Sequence, residues 1–126
     1  EIHTATERNV SIILYHNAKC STSRRTLELL EGLGIHPTNV EYLKTPPSKT
    51  QLKKILRALG LEPRDLMRKK EAEYKDAGLD NPSLTRDALI AAMVAHPRLI
   101  ERPIVVHGER AAIGRPPENV LRILEP

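Results

Sequence analysis

Two short apolar runs, residues 12–15 (IILY) and 40–43 (VEYL), flank a stretch in which Leu27, Leu30 and Leu33 recur every third residue. The runs read as strands, and the stretch between them reads as a helix that begins at Ser23 and is closed by Gly32 and Gly34. This order constrains the fold more than any other feature. Two consecutive strands joined through a helix lie parallel and make a right-handed crossover. The first third of the chain therefore predicts a sheet with a helix packed on one face.

The remainder extends that unit. In "TPPSKTQ", Ser48 and Gln51 have the spacing of a capping box; Leu52, Ile55, Leu56 and Leu59 follow on one face, and Gly60 ends the segment. Residues 61–82 are polar and irregular, with a short helix expected over 63–68 and a further turn or two after it. Residues 85–95 carry the stripe Leu89, Ile90, Met93 and Val94. Gly108 separates residues 104–107 from 110–113, a β-hairpin pattern, and Pro117 suits the first turn of a closing helix. The order β-α-β, helical block, β-β-α predicts an α/β protein. It has the thioredoxin-like arrangement, a four-stranded mixed sheet interrupted by a helical insertion at about residues 48–100. Residues 10–126 are read as one such domain. Residues 1–9 have no apolar core and no cleavage pattern, and are read as a disordered leader or an appended remnant.

Composition narrows the functional classes. The chain has neither Phe nor Trp, so the core is aliphatic and base-stacking platforms are missing. Charged residues make up 29% of the chain with a net charge of +4, and the acids are interspersed with the bases. That balance does not suggest nucleic acid as a partner, and it suits a small anion. No apolar run approaches the ~20 residues of a membrane span. The single cysteine, Cys20, excludes an intrachain disulfide and any cysteine-rich metal site. A free thiol suits a reducing cytoplasm, which is the expected location.

Cys20 sits in "YHNAKCSTSRR", where the first strand gives way to the first helix. Backbone N–H groups at a helix start are unpaired and the helix dipole is positive there, so a thiolate is favoured. A helix end contributes about 0.3–1 kcal/mol, whereas one pKa unit is ~1.4 kcal/mol. A strongly acidified thiol therefore also needs a cation. His16, Lys19, Arg24 and Arg25 are near in sequence, and an imidazolium at His16 is the first candidate. Ser23 fits a capping role. A redox C-x-x-C would need cysteine where Ser23 stands, and a phosphatase C-x5-R loop would need arginine where Thr26 stands.

The segment resembles the active-site stretch H-N-x-x-C-x-x-S-R of the glutaredoxin-dependent arsenate reductases, the ArsC family of the thioredoxin-like superfamily. His16, Asn17, Cys20, Ser23 and Arg24 all match that pattern. "EYLKTPP", "LMRKKEAEY", "HPRLIERPIVV" and "IGRPPENVLRIL" resemble further segments of the family in the same order, so the likeness covers residues 10–124.

The resemblance implies roles. Cys20 would be the nucleophile and His16 would tune it. Arg68, Arg102 and Arg115 would hold the oxyanion. Asn17, Ser23 and Arg24 would support the loop, and Pro103 would be a cis-proline facing the thiol. It also implies reduction of arsenate, or a similar small oxyanion, with glutathione as co-substrate and glutaredoxin as partner. No bound cofactor and no metal are expected. Two rival readings share the fold: a glutathione-linked thiol or oxyanion reductase of another substrate, and an Spx-like regulator binding RNA polymerase. Regulators of that kind usually carry a C-x-x-C switch, which Ser23 breaks.

Overall fold

Strand β1 (Ile12–His16) runs through the middle of a mixed sheet in a computed structural model that describes residues 12–124. The leader expected over residues 1–9 lies outside the described residues. β2 (Thr38–Glu41) pairs parallel with β1, with Leu14 opposite Asn39. On the other side β3 (Ile104–His107) pairs antiparallel, with Leu14 opposite Val105, and β4 (Arg110–Ile113) pairs antiparallel with β3. The order β2-β1-β3-β4 is the thioredoxin-like mixed sheet expected from the sequence. Ile12, Leu14, Tyr15 and His16 are all buried, which is why β1 reads as an unbroken apolar run rather than an alternating one. β2 begins two residues earlier than the apolar run suggested. It is an edge strand with three exposed residues, and the backbone pairing to β1 places it.

Helix α1 (Ser21–Gly32) also starts earlier than its leucine stripe. Its first turns bury Ser23 and Thr26 instead of apolar residues, so hydrophobic periodicity is blind to them. Leu30 joins Ile12, Leu14, Val105, Val120 and Ile123 in an aliphatic cluster. Each such side chain contributes about 1.5–3 kcal/mol on full burial. The closing helix, Pro117–Ile123, is a 3₁₀ helix and not the α-helix suggested by Pro117. A 3₁₀ turn eclipses residues three apart, and that spacing puts Val120 and Ile123 into the cluster together.

The described residues divide into two units: one built from those up to Tyr42 and those from Arg102 onward, the other being Leu43–Glu101. The second contains α2 (Lys49–Leu59), a 3₁₀ turn (Pro63–Leu66), α3 (Ala72–Asp76), α4 (Arg86–Ala95) and a second 3₁₀ turn (Pro97–Leu99). The turn expected over 63–68 is thus 3₁₀ and ends at Leu66. Ser48 caps α2 by the predicted box: its Oγ accepts from Gln51 N–H at 3.1 Å, and Gln51 Oε1 accepts from Ser48 N–H at 2.8 Å. Gly60 closes the helix at φ +70°, a conformation that suits a residue without Cβ. Leu52, Ile55 and Leu56 from α2 and Leu89, Ile90 and Met93 from α4 are buried. The stretch after Pro63–Leu66 is clasped to the one after Pro97–Leu99: Glu101 N–H donates to Leu66 O at 2.8 Å and Arg68 N–H to Leu99 O at 2.7 Å. Among the described residues no helix is long and apolar enough to cross a membrane, and no cluster of three or more His, Cys, Asp or Glu could hold a metal.

Candidate active site

The turn that delivers Cys20 is built from its own short side chains and backbone. β1 ends at His16, and Asn17 Oδ1 then accepts from Lys19 N–H at 3.0 Å while Asn17 O accepts from Cys20 N–H at 2.9 Å. Such asparagine turns stand in for a backbone turn. Arg24 reaches back from α1, and its Nη1 donates to Ala18 O at 2.8 Å. Arg24 therefore braces the turn. Cys20 occupies the N-cap position with extended backbone (φ −93°, ψ 122°), and its carbonyl accepts from Arg24 N–H at 3.0 Å.

Cys20 keeps only 9% exposure as a residue, yet polar groups surround its sulfur. Burial pushes the Cys20 thiol up. Against this, the Ser23 backbone N–H, the Arg102 charge, the Thr22 N–H and a hydrogen bond from Arg102 bring it below the ordinary thiol range. Arg115 adds a second guanidinium, with Nη2 at 3.7 Å from Sγ. The two arginines are linked, since Arg115 Nε donates to Arg102 O at 2.7 Å. The helix start and two cations thus act on one sulfur, as the magnitudes demanded. The Arg102–Pro103 bond is cis, and so is Arg115–Pro116, which the sequence did not signal.

His16 does not provide the expected imidazolium. Its Nδ1 lies 2.7 Å from Ser23 Oγ, and both residues are buried. Burial lowers the His16 pKa from its ordinary value; Glu41 opposes the shift and Arg24 adds to it. The ring is therefore neutral near pH 7, and the positive charge at the sulfur comes from arginines distant in sequence. Ser23 is likewise not the cap but lies within the first turn of α1. Its Oγ also accepts from Asn17 N–H at 3.0 Å, joining the strand exit to the helix.

Gly114, which sequence reasoning passed over, brings β4 close to α1. A Cβ there would stand 2.6 Å from Thr26 Oγ1 and 2.9 Å from Pro103 Cγ. Gly114 N–H donates to Pro103 O at 2.9 Å. The missing side chain lets the strand leave against the helix with the next residue, Arg115, beside Cys20. The one signal available was a glycine immediately before an arginine in "IGRPP". Arg68 belongs to the Leu43–Glu101 unit, where its Nη1 pairs with Glu71 Oε2 at 3.1 Å.

A thiolate at a helix start, flanked by forked guanidinium donors, can attack an electrophilic centre that carries negative oxygens. Guanidinium groups at such a place can bind those oxygens and offset the repulsion between two anions. The chain is similar to known proteins over most of its length. An arsenate reductase of Neisseria meningitidis serogroup A is 50% identical over 114 residues, covering 90% of this chain and 97% of that protein. An uncharacterized Escherichia coli K12 protein, YfgD, is 51% identical over 112 residues, covering 88% of this chain and 94% of its own length. The structure of an arsenate reductase from Vibrio cholerae aligns with a TM-score of 0.88 at 54% identity, covering 90% of this chain and 98% of that one. The ArsC family profile matches residues 15–123, from near the end of β1 to the end of the closing 3₁₀ helix, and on this extent of agreement the chain belongs to the ArsC family.

Proposed function

We propose that this protein reduces arsenate to arsenite through Cys20, with electrons from glutathione and glutaredoxin. The observation that supports this most directly is the Cys20 sulfur, acidified below the ordinary thiol range and flanked by Arg102 and Arg115. Named arsenate reductases among the close relatives point the same way.

The cycle begins with arsenate held by Arg102 and Arg115. The Cys20 thiolate attacks arsenic; an As–S bond forms and one oxygen departs, protonated, as water. Arsenic is still pentavalent. The chain has no second cysteine to attack next, so glutathione adds as an external thiol and a second oxygen leaves as water. A glutaredoxin thiolate then attacks the glutathione sulfur. A glutaredoxin–glutathione disulfide forms, the S–As bond breaks, and its electron pair reduces arsenic to the trivalent state. Water cleaves the remaining As–S bond, releasing arsenite and regenerating Cys20. Asn17, Ser23, His16 and Arg24 hold the turn in place, and Pro103 is the cis-proline that the family pattern sets opposite the thiol. No bound cofactor is needed, because both electrons arrive on external thiols, which suits a reducing cytoplasm.

The test is a coupled assay: arsenate, glutathione, glutaredoxin and NADPH-linked glutathione reductase, followed by NADPH loss. Arsenate-dependent turnover that disappears in Cys20→Ser is expected. No turnover above that control overturns the arsenate reading. A glutathione-linked reductase of another substrate would share the same thiol and arginines, and dependence on arsenate separates the two.

A further inference from the structure

Arg115 sits on the short connector, residues 114–116, between β4 and the closing 3₁₀ helix. Its N–H donates to Ile113 O at 2.9 Å, and its carbonyl accepts from Asn119 Nδ2 at 2.8 Å. Its side chain donates from Nε to Arg102 O at 2.7 Å and from Nη2 toward Cys20 Sγ at 3.7 Å. Cys20, Arg102, Arg115 and Asn119 all belong to the same unit. The sequence explains why a side chain serves the Arg115 carbonyl. The next two residues are Pro116 and Pro117, which have no N–H. The Asn119 N–H is itself engaged by Pro116 O at 3.0 Å. The backbone just downstream is poor in donors, and the Asn119 amide takes their place.

Asn119 stands on a fixed support. Its neighbour Val120 is buried with Ile123 in the aliphatic cluster. The far end of the 3₁₀ helix is fastened to the β3–β4 hairpin, where His107 Nδ1 donates to Ile123 O at 2.7 Å and Arg110 donates to Arg122 O. A line of contacts thus runs from the core through Asn119 to the Arg115 backbone and on to the sulfur. The Asn119–Arg115 bond lies at the surface. Water can replace it, so its net contribution to stability is small. Water does not fix direction, however. A guanidinium grips an anion through a planar fork whose strength depends on alignment. A long side chain also loses rotamer freedom on binding unless it is already held. Orientation is therefore the larger effect. We propose that Asn119 is a positioning residue, fixing the Arg115 main chain so that its guanidinium faces the Cys20 sulfur and the anion that approaches it. This rests on the reading above that Arg115 binds the substrate oxyanion.

The experiment compares the parent, Asn119→Ala, Arg115→Ala and the Asn119→Ala/Arg115→Ala double variant. Arsenate KM and kcat are measured in the coupled assay. The ratio of Cys20 alkylation rates by iodoacetate and iodoacetamide, which differ in charge, reports the guanidinium at the sulfur without arsenate. Melting temperature reports the hydrogen bond itself, since the residue 115 carbonyl persists in Arg115→Ala. Asn119→Ala is expected to raise KM about three- to fivefold, with kcat within about twofold, and to lower the alkylation ratio about twofold. Arg115→Ala is expected to raise KM about tenfold or more and to lower the ratio further. In the Arg115→Ala background, Asn119→Ala is expected to change neither KM nor ratio, because the group it positions is gone. Its cost in melting temperature, about 2–5 °C, is expected in both backgrounds. An alkylation ratio unchanged by Asn119→Ala overturns the inference. Equal effects on ratio and KM in both backgrounds overturn it as a general structural effect. Absence of arsenate turnover in the parent overturns the arsenate reading, and the alkylation ratio then decides the Asn119 inference alone. A ratio and KM unchanged by Arg115→Ala remove Arg115 from the site, and Asn119 with it.

Discussion

Arg115 Nη2 stands 3.7 Å from the Cys20 sulfur, although the two residues are 95 positions apart in the chain. The same guanidinium donates from Nε to the carbonyl of Arg102, whose own side chain hydrogen-bonds the thiolate. The acidity of this thiol is therefore a tertiary property.

Removing Arg102 is expected to raise the thiol pKa, because its charge and its hydrogen bond both favour the thiolate. The rate of Cys20 alkylation by iodoacetamide, followed against pH, reports it. Arg102→Ala should move the midpoint upward, and further than His16→Asn does, because a neutral imidazole contributes no charge to lose. A larger shift in the histidine variant would return the tuning role to His16.

Geometry should matter as much as charge at Arg115. Lysine keeps the charge but has no fork to reach both Sγ and the Arg102 carbonyl. Arg115→Lys should therefore retain much of the thiol acidity but lose at least about tenfold in kcat/KM for arsenate, a loss of ~1.4 kcal/mol. Near-parental kcat/KM would show that point charge suffices.

The Cys20 thiol also links stability to pH. Its folded pKa lies below the ordinary value, so the thiolate's stabilisation is complete above the unfolded thiol pKa and is lost as pH falls through the folded one. Urea denaturation of the parent and of Cys20→Ser should show a gap that widens in favour of the parent as pH rises toward about 9, beyond the ordinary thiol pKa of roughly 8.5. A gap independent of pH contradicts the shift.

His16 acts in the same direction at lower pH. Its folded pKa is below the ordinary value. The neutral ring's contribution is full above about pH 6.5 and is lost as pH falls through the folded pKa, where the unfolded chain binds the proton first. Between pH 7.5 and pH 5 the parent should lose stability relative to His16→Asn in urea denaturation. Parallel pH profiles would rule this out.

Gly114→Ala is expected to destabilise by about 1–3 kcal/mol through overpacking, since the added Cβ meets Thr26 Oγ1 and Pro103 Cγ. Thr26→Ala should recover part of that loss when combined with it, a non-additive pair. Thermal melts of the two single variants and the double check this; strict additivity would mean the strand and helix relax apart freely.

The sequence by itself carried whatever neighbouring residues can enforce on one another. The aliphatic run of β1, the hairpin around Gly108, the Ser48–Gln51 capping box and the placement of Cys20 at a helix start are all local, and all are present. Chain folding in three dimensions decided the rest. The edge position of β2 follows from its pairing to β1, so its bounds do not track apolarity. Ser23 and Thr26 are buried polar residues in α1, invisible to a hydrophobic stripe. His16 carried an expected charge that burial removes. Propensity and periodicity act over a few residues, whereas an electrostatic field acts through space. The cations nearest Cys20 in sequence were therefore poor guides to the arginines that the sheet and the side-chain-free Gly114 bring to its sulfur.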